Sequence, residues 1–285
     1  MTATTMRGRF YELTAAALER DERVWAVLAD IGESELPRHP RLVNVGIREQ
    51  LMIGVAAGLA LEGKRPVVHS YAPFLVERPW EQIKLDLTHQ DLGAVLVSNG
   101  ASYDASRAGR THQAPEDVAL LATLPSWRIE VPGHPDELER AFTRALATDE
   151  RVYIRTTHER NHAPVSGDGL VVLRDGSPLV VAVGPTLTPV LEATSDLAVG
   201  VAYLTTVRPF PHDAFEDVDD VVLVEPYLAG TSAAEVTKAI GHRPHRLRAL
   251  GLENPELRRY GTPEEHRAAH GLDARGIRTA LVDLL

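Results

Sequence analysis

The sequence contains no cysteine. Disulfides, thiolate nucleophiles and cysteine-held metals are therefore excluded, and a reducing compartment fits. Basic charge is also short: 30 Lys and Arg stand against 40 Asp and Glu, a formal charge of −10. That balance argues against a nucleic-acid partner. The longest uncharged apolar run, Leu51 to Leu61, falls well below the ~20 residues that span a bilayer. The opening "MTATTMRGRF" has no apolar segment of the kind a secretory signal needs. A soluble, cytoplasmic protein with no membrane partner is expected. No P-loop, no GxGxxG and no Gly-x-Ser-x-Gly is found. His158 with His162, and His266 with His270, are spaced as metal ligands can be, but neither pair reads His-Glu-x-x-His, so no metal site is assigned.

What is present is an alternation. Helical spacing in "FYELTAAALERD" gives way to the strand "VWAVLAD", then to a helix after Glu49. "RPVVHSYAPF" reads as a strand leaving into an aromatic loop, "RPWEQIKLDLTHQ" as a helix and "GAVLVSN" as a strand. "APEDVALLATL", "WRIEVP", "HPDELERAFTRALAT" and "RVYIRTT" continue the pattern. Such alternation predicts an α/β fold with mostly parallel sheets flanked by helices. The polar, breaker-rich "HERNHAPVSGDG" marks a boundary, giving domains over 1–165 and 166–285. Past it, "PLVVAVG", "TPVLEATSDL", "VGVAYLTT", "DDVVLVEP", "GTSAAEVTKAIG", "HRLRALGL" and "ARGIRTALVDLL" repeat the alternation in a smaller second domain.

In open α/β sheets ligands gather at the carboxyl ends of strands, which directs attention to Asp30, Ser34, His69 to Phe74, Asn99 to His112 and His158. Glu49 sits where a helix starts, a position at which the dipole favours a carboxylate; the plain reading is a helix-start acid paired with Arg48 or solvent. The helix that follows is apolar all round, which predicts burial, and a desolvated acid at its head can exchange a proton with a bound base. Gly54 and Gly58 also suit close packing at an interface between two chains. Tyr71, Phe74 and Trp80 are either core aromatics or a platform for a planar ring. His112, in "GRTHQAPED", is either incidental or placed to act on substrate hydroxyls or protons.

Taken in order, "GIREQ", "AAGLALEGKRPV", "SYAPF", "WEQIKLD", "GRTHQAPED" and "YIR" resemble the pyrimidine-binding domain of the transketolase family, and "PLVVAVG", "VVLVEP" and "HGLDARGI" resemble its C-terminal domain. The resemblance covers nearly the whole chain. Full-length members also carry an N-terminal domain that binds the diphosphate and magnesium through Gly-Asp-Gly…Asn. The resemblance therefore implies the C-terminal subunit of a split, two-component enzyme. Its partner would be a chain holding Mg²⁺ and the diphosphate, with two copies of each chain. It implies thiamine diphosphate as cofactor, whose thiazolium C2 must lose a proton to become the ylid that attacks a ketose carbonyl. Glu49 matches the glutamate that binds N1′ of the aminopyrimidine. Tyr71 and Phe74 match the aromatics around that ring, and Asp30 an acid beside the cofactor. His112 matches a histidine at the substrate's reacting carbon, and Arg7 and Ser34 match ligands of the acceptor's phosphate.

Departures fall on the substrate side. Ala108 stands where the family has the Asp of Asp-Gly-x-Thr-His, with Arg110 at the x, and Gly100 replaces a phosphate-binding histidine. His158 stands where a phosphate-binding arginine is usual, with Arg155 or Arg160 as candidates to compensate, and "EPY", Glu225 to Tyr227, replaces Glu-Glu-His. The expected activity is ketol transfer on a non-standard substrate. The alternatives are the β-type subunit of a 2-oxoacid dehydrogenase, a deoxyxylulose-phosphate-synthase-like enzyme, and a non-catalytic scaffold.

Overall fold

Strands whose every residue is apolar must lie in the middle of a covered sheet. In the computed structural model, which describes residues 5–253 and 260–284, the first six strands are β1 (Val24–Leu28), β2 (Leu42–Asn44), β3 (Arg65–Tyr71), β4 (Val95–Asn99), β5 (Trp127–Glu130) and β6 (Arg151–Arg155). They form one parallel sheet in the order β5-β6-β4-β3-β1-β2. Helices α1 (Met6–Arg20), α2 (Glu49–Leu61), α3 (Trp80–Gln82), α4 (Asp117–Leu121) and α5 (Pro135–Leu146) connect or flank them. Local chemistry fixes their starts. Thr5 Oγ1 caps α1 by accepting from the Gly8 N–H at 3.0 Å, and Pro135 opens α5 where a missing N–H costs nothing.

The second sheet comprises β7 (Leu170–Arg174), β8 (Leu179–Val183), β9 (Gly200–Leu204), β11 (Asp220–Leu228) and β12 (Arg246–Leu252), ordered β12-β11-β8-β9-β7, with β7 antiparallel at its edge. Helices α6 (Leu187–Ala193), α7 (Ala233–Ile240), α8 (Pro263–Ala269) and α9 (Ala274–Val282) accompany it; Leu285, the end of the last expected helix, lies outside the described residues. The intervening strand β10 (Thr206–Arg208) leaves this half and pairs antiparallel with β5. The two sheets also share one apolar core, in which Ile129 and Val131 meet Val183 and Leu204.

Two expectations need correction. The stretch after β3 is not an open aromatic loop. Pro73–Glu77 coils as a wide π-helical turn, with the Arg78 N–H reaching Pro73 O at 3.0 Å. Such turns concentrate at functional sites. Helix α2 is also not buried all round: Met52, Ile53, Ala56 and Ala57 face the core, while Leu51 and Leu61 are 50% and 64% exposed, as is the preceding Ile47 at 70%. No helix among the described residues is long and apolar enough to cross a membrane.

Candidate functional site

The carboxyl ends of β1, β3, β4 and β6 open onto one region, and each contributes side chains to it. Tyr71, the last residue of β3, and Phe74, in the turn beyond, lie edge to face with ring centroids 6.2 Å apart. His112 joins them at 6.0 Å from Tyr71 and 5.1 Å from Phe74, held by a bond between its Nδ1 and Thr111 Oγ1 at 2.9 Å. Glu49 is the first residue of α2 and is buried. Its Oε1 accepts from Nη1 of Arg78 at 2.6 Å, and the Arg78 guanidinium lies 4.1 Å from the Phe74 ring centre. Glu49, Phe74, Tyr71 and His112 thus form one connected group.

Gly100 explains a departure from the family pattern. Its backbone is left-handed, φ +65°, and a Cβ there would lie 2.6 Å from the Tyr71 ring. Any side chain at this position, a histidine included, competes with Tyr71 for the same space. The glycine is what allows an aromatic ring to close this wall.

Arg7 reaches the site through a relay. Its Nε donates to Tyr11 Oη at 2.9 Å, and Tyr11 Oη lies 3.2 Å from His69 Nε2. His69 Nδ1 faces Val97 O at 2.8 Å. A carbonyl only accepts, so Nδ1 carries the proton and Tyr11 donates to Nε2. Burial, with the Arg7 charge behind it, pushes the His69 pKa down to about 4, so the imidazole is neutral and the direction of the Tyr11–His69 bond is fixed. The loop after β1 packs here: a Cβ on Gly32 would lie 3.0 Å from the Tyr11 ring and 3.2 Å from His69. Within that loop Asp30 takes φ 64°, and Asn44 of β2 holds it through its N–H at 3.0 Å and its Oδ1 at 3.3 Å. Ser34 is exposed in the same loop.

His158, Tyr71, Ala108, Asp104, Ser106 and Pro263 line a cavity of about 430 Å³ where the two halves meet. Burial, then the Arg7 charge, holds the His158 pKa below its ordinary value. The His158 N–H is bound at 2.9 Å by Asp104 Oδ2. Burial, added to by the Asp117 charge, pushes the Asp104 carboxyl up to about 7. Between its ordinary 3.8 and about 7 the folded chain therefore holds a proton that the unfolded chain has released, so stability falls as pH rises through that window. Asp104→Asn retains an acceptor for the His158 N–H without a charge. Its thermal midpoint should decline less than wild type's between about pH 5 and pH 8, the gain being greatest at the alkaline end. Parallel pH profiles for the two proteins would show that Asp104 is not the titrating group.

Arg110 and Arg155, two candidates for anion binding, are otherwise engaged. Arg110 donates to Glu116 Oε1 at 2.6 Å and to Gln113 O at 2.7 Å. Arg155 is fully buried beneath the site and bound to Asp117 by Nε at 2.8 Å, so it cannot replace a phosphate ligand at His158. Sequence reasoning also missed Arg78, Tyr11 and Asn44, and took in Asp104 only as part of the stretch Asn99 to His112. Each acts on a partner far along the chain, and no local spacing signals that.

The group offers a carboxylate at one edge and an aromatic face beside it, with the Arg78 guanidinium between them, a chemistry suited to a flat, nitrogen-bearing ring. Both amide atoms of Asn99, at the end of β4, and Ser70 Oγ are buried without a hydrogen-bond partner among the described residues. Residues 2–162 match the family described as transketolase, pyrimidine binding domain. The chain is 46% identical over 99% of its length, and 95% of the other's, to an uncharacterized protein in the fasciation locus of Rhodococcoides fascians. It is 31% identical to one subunit of the apulose-4-phosphate transketolase of Actinobacillus succinogenes, covering 83% of this chain and 82% of that one. A solved structure described as a split gene transketolase, inactive beta4 tetramer, superposes with a TM-score of 0.81 at 24% identity, over 99% of this chain and 98% of that one. The chain belongs to the transketolase family, and residues 2–162 are its pyrimidine-binding domain.

Proposed function

We propose that the chain is the C-terminal subunit of a two-component, thiamine-diphosphate-dependent transferase that moves a two-carbon ketol unit on a substrate other than the usual pentose phosphates. One observation carries this: Glu49, buried at the head of α2, is brought through Arg78 against the face of Phe74, with Tyr71 and His112 alongside. When bound, thiamine diphosphate supplies a nucleophilic carbon for attack on a ketose carbonyl. Glu49 would hold the proton-exchanging nitrogen N1′ of the aminopyrimidine, at a helix start that favours its charge. Tyr71 and Phe74 would flank the ring, and the Asn44-held Asp30 would border it. His112 would face the reacting carbon, while Arg7, fixed by Tyr11, and His158 would bind substrate.

The diphosphate and Mg²⁺ would be held mainly by a partner chain, two copies of each forming the assembly. The Actinobacillus relative is itself one subunit of a transketolase, over a similar length, which supports that arrangement. The altered substrate follows from charge. With Ala108 uncharged, the space above Gly100 taken by Tyr71, and Arg110 and Arg155 engaged elsewhere, the cations left at the site include Arg7 and the cavity-lining Arg107, a set unlike the one the resemblance implies for pentose phosphates. The test is to mix the chain with its partner, thiamine diphosphate and Mg²⁺ and measure ketol transfer. Activity should require both chains, with standard phosphorylated ketoses as poor substrates. Turnover by this chain alone would refute the two-component reading, and efficient use of pentose phosphates would refute the substrate assignment.

A further inference from the structure

Glu49 and Arg78 are 29 residues apart in sequence and meet at 2.6 Å. The two ends of the pair are unequal: the Glu49 side chain is 3% exposed and the Arg78 side chain 39%. The backbone of Arg78 is pinned independently, its N–H by Pro73 O and its carbonyl by Gln50 Nε2 at 3.2 Å. Phe74 and Arg78 lie at either end of the π-helical turn, and the guanidinium settles over the ring. A guanidinium is planar, carries N–H groups at its rim and stacks on aromatics. It therefore makes the two contacts that the reading above assigns to an aminopyrimidine: an edge bond to Glu49 and a face on Phe74.

We propose that Arg78 is a displaceable placeholder in the aminopyrimidine slot. It neutralises Glu49 until cofactor and partner are in place, and its side chain must swing out for the ring to seat. The inference rests on the function proposed above. Its physical basis is that a buried carboxylate at the head of an apolar helix is costly when unpaired. The paired cation is the partly exposed member, so it can return to water while its backbone stays fixed. A slot filled by its own side chain binds its ligand with an affinity reduced by the fraction of molecules in which it is open. Arg78 is thus a positioning residue, acting through Glu49 and the slot.

The test has two readouts. In the full chain alone, NMR exchange of the Arg78 guanidinium protons should be slow in wild type and fast in Glu49→Ala, which removes the acceptor. Equally fast exchange in both would show that no such pair persists, and would overturn the proposal. In the assembled enzyme, Arg78→Met should bind thiamine diphosphate roughly tenfold more tightly than wild type, with Arg78→Lys between them. A merely structural arginine, or one that supports Glu49 in the loaded enzyme, would give weaker binding on removal. Equal or weaker binding by Arg78→Met, with its fold intact by circular dichroism, overturns the proposal; if that variant does not fold, Arg78→Lys carries the comparison. A wild-type assembly that binds no thiamine diphosphate refutes the function and takes this inference with it. Binding indifferent to residue 78 refutes this inference alone.

Discussion

Glu49→Gln, in the chain assembled with its partner and thiamine diphosphate, should slow exchange of the cofactor's C2 proton by about 10²–10⁴-fold, the range typical of a lost acid–base group. The substitution is nearly isosteric. A glutamine carbonyl still accepts from Arg78, and Met52, Ile53, Ala56 and Ala57 still bury the inner face of α2, so the fold should survive. What is lost is a site able to take and return a proton opposite N1′. Deuterium exchange at C2, followed by NMR after acid quench, measures this before any substrate turnover. Product assays would confuse it with substrate binding. Exchange within a few-fold of wild type would remove Glu49 from its assigned role and leave the carboxylate as a helix-start residue.

The strands that carry the site were legible because burial on both faces writes short β-branched and apolar runs, Val67–Val68 in β3, Val95–Val97 in β4 and Val152–Ile154 in β6. β3, β4, β6, β8 and β11 all read directly. β2 and β10 did not, since each is three residues long and takes its place from a neighbour, β2 from β1 and β10 from β5 across the chain's midpoint. β7 is half exposed at an edge and shows no clean alternation. The same division holds at the site. Tyr71, Phe74, Glu49 and His112 announce themselves by order along the chain. The contacts of Arg78 with Glu49, of Tyr11 with His69 and of Asp104 with His158 span 29, 58 and 54 residues, and arginine, tyrosine and aspartate in a helix or loop read as ordinary surface. A sequence shows which side chains are chemically apt; it shows poorly which of them are already occupied by each other.

Arg155 is the sharpest instance, and it carries the largest expected effect on stability. Asp117→Ala should destabilise the chain by about 3–5 kcal/mol, the usual cost of stranding one half of a buried ion pair, and lower Tm by roughly 10 °C for a chain of this size. Both side chains are wholly buried. Burial opposes the guanidinium charge, yet Asp117 holds the Arg155 pKa above its ordinary value. Asp117 also accepts from Tyr153 Oη at 2.6 Å and from the Val118 N–H at 2.8 Å; without it Tyr153 can still turn to Ser98 Oγ at 2.8 Å, whereas Arg155 Nε loses its acceptor. The network runs on into the second half of the chain. Arg155 donates to Ser102 Oγ at 2.5 Å, Ser102 donates in turn to Pro226 O, and the guanidinium lies 5.4 Å from the Tyr227 ring centre. An arginine at the end of β6 that looked available for a phosphate is instead a bolt between the two halves, seated against the ring of Tyr227. The control is Asp117→Leu with Arg155→Met, which removes both charges and should recover most of the lost stability. Thermal unfolding of the two single variants and the double decides it. If the double is as unstable as Asp117→Ala, the damage comes from lost packing or from Tyr153, and the ion pair is not what joins the halves.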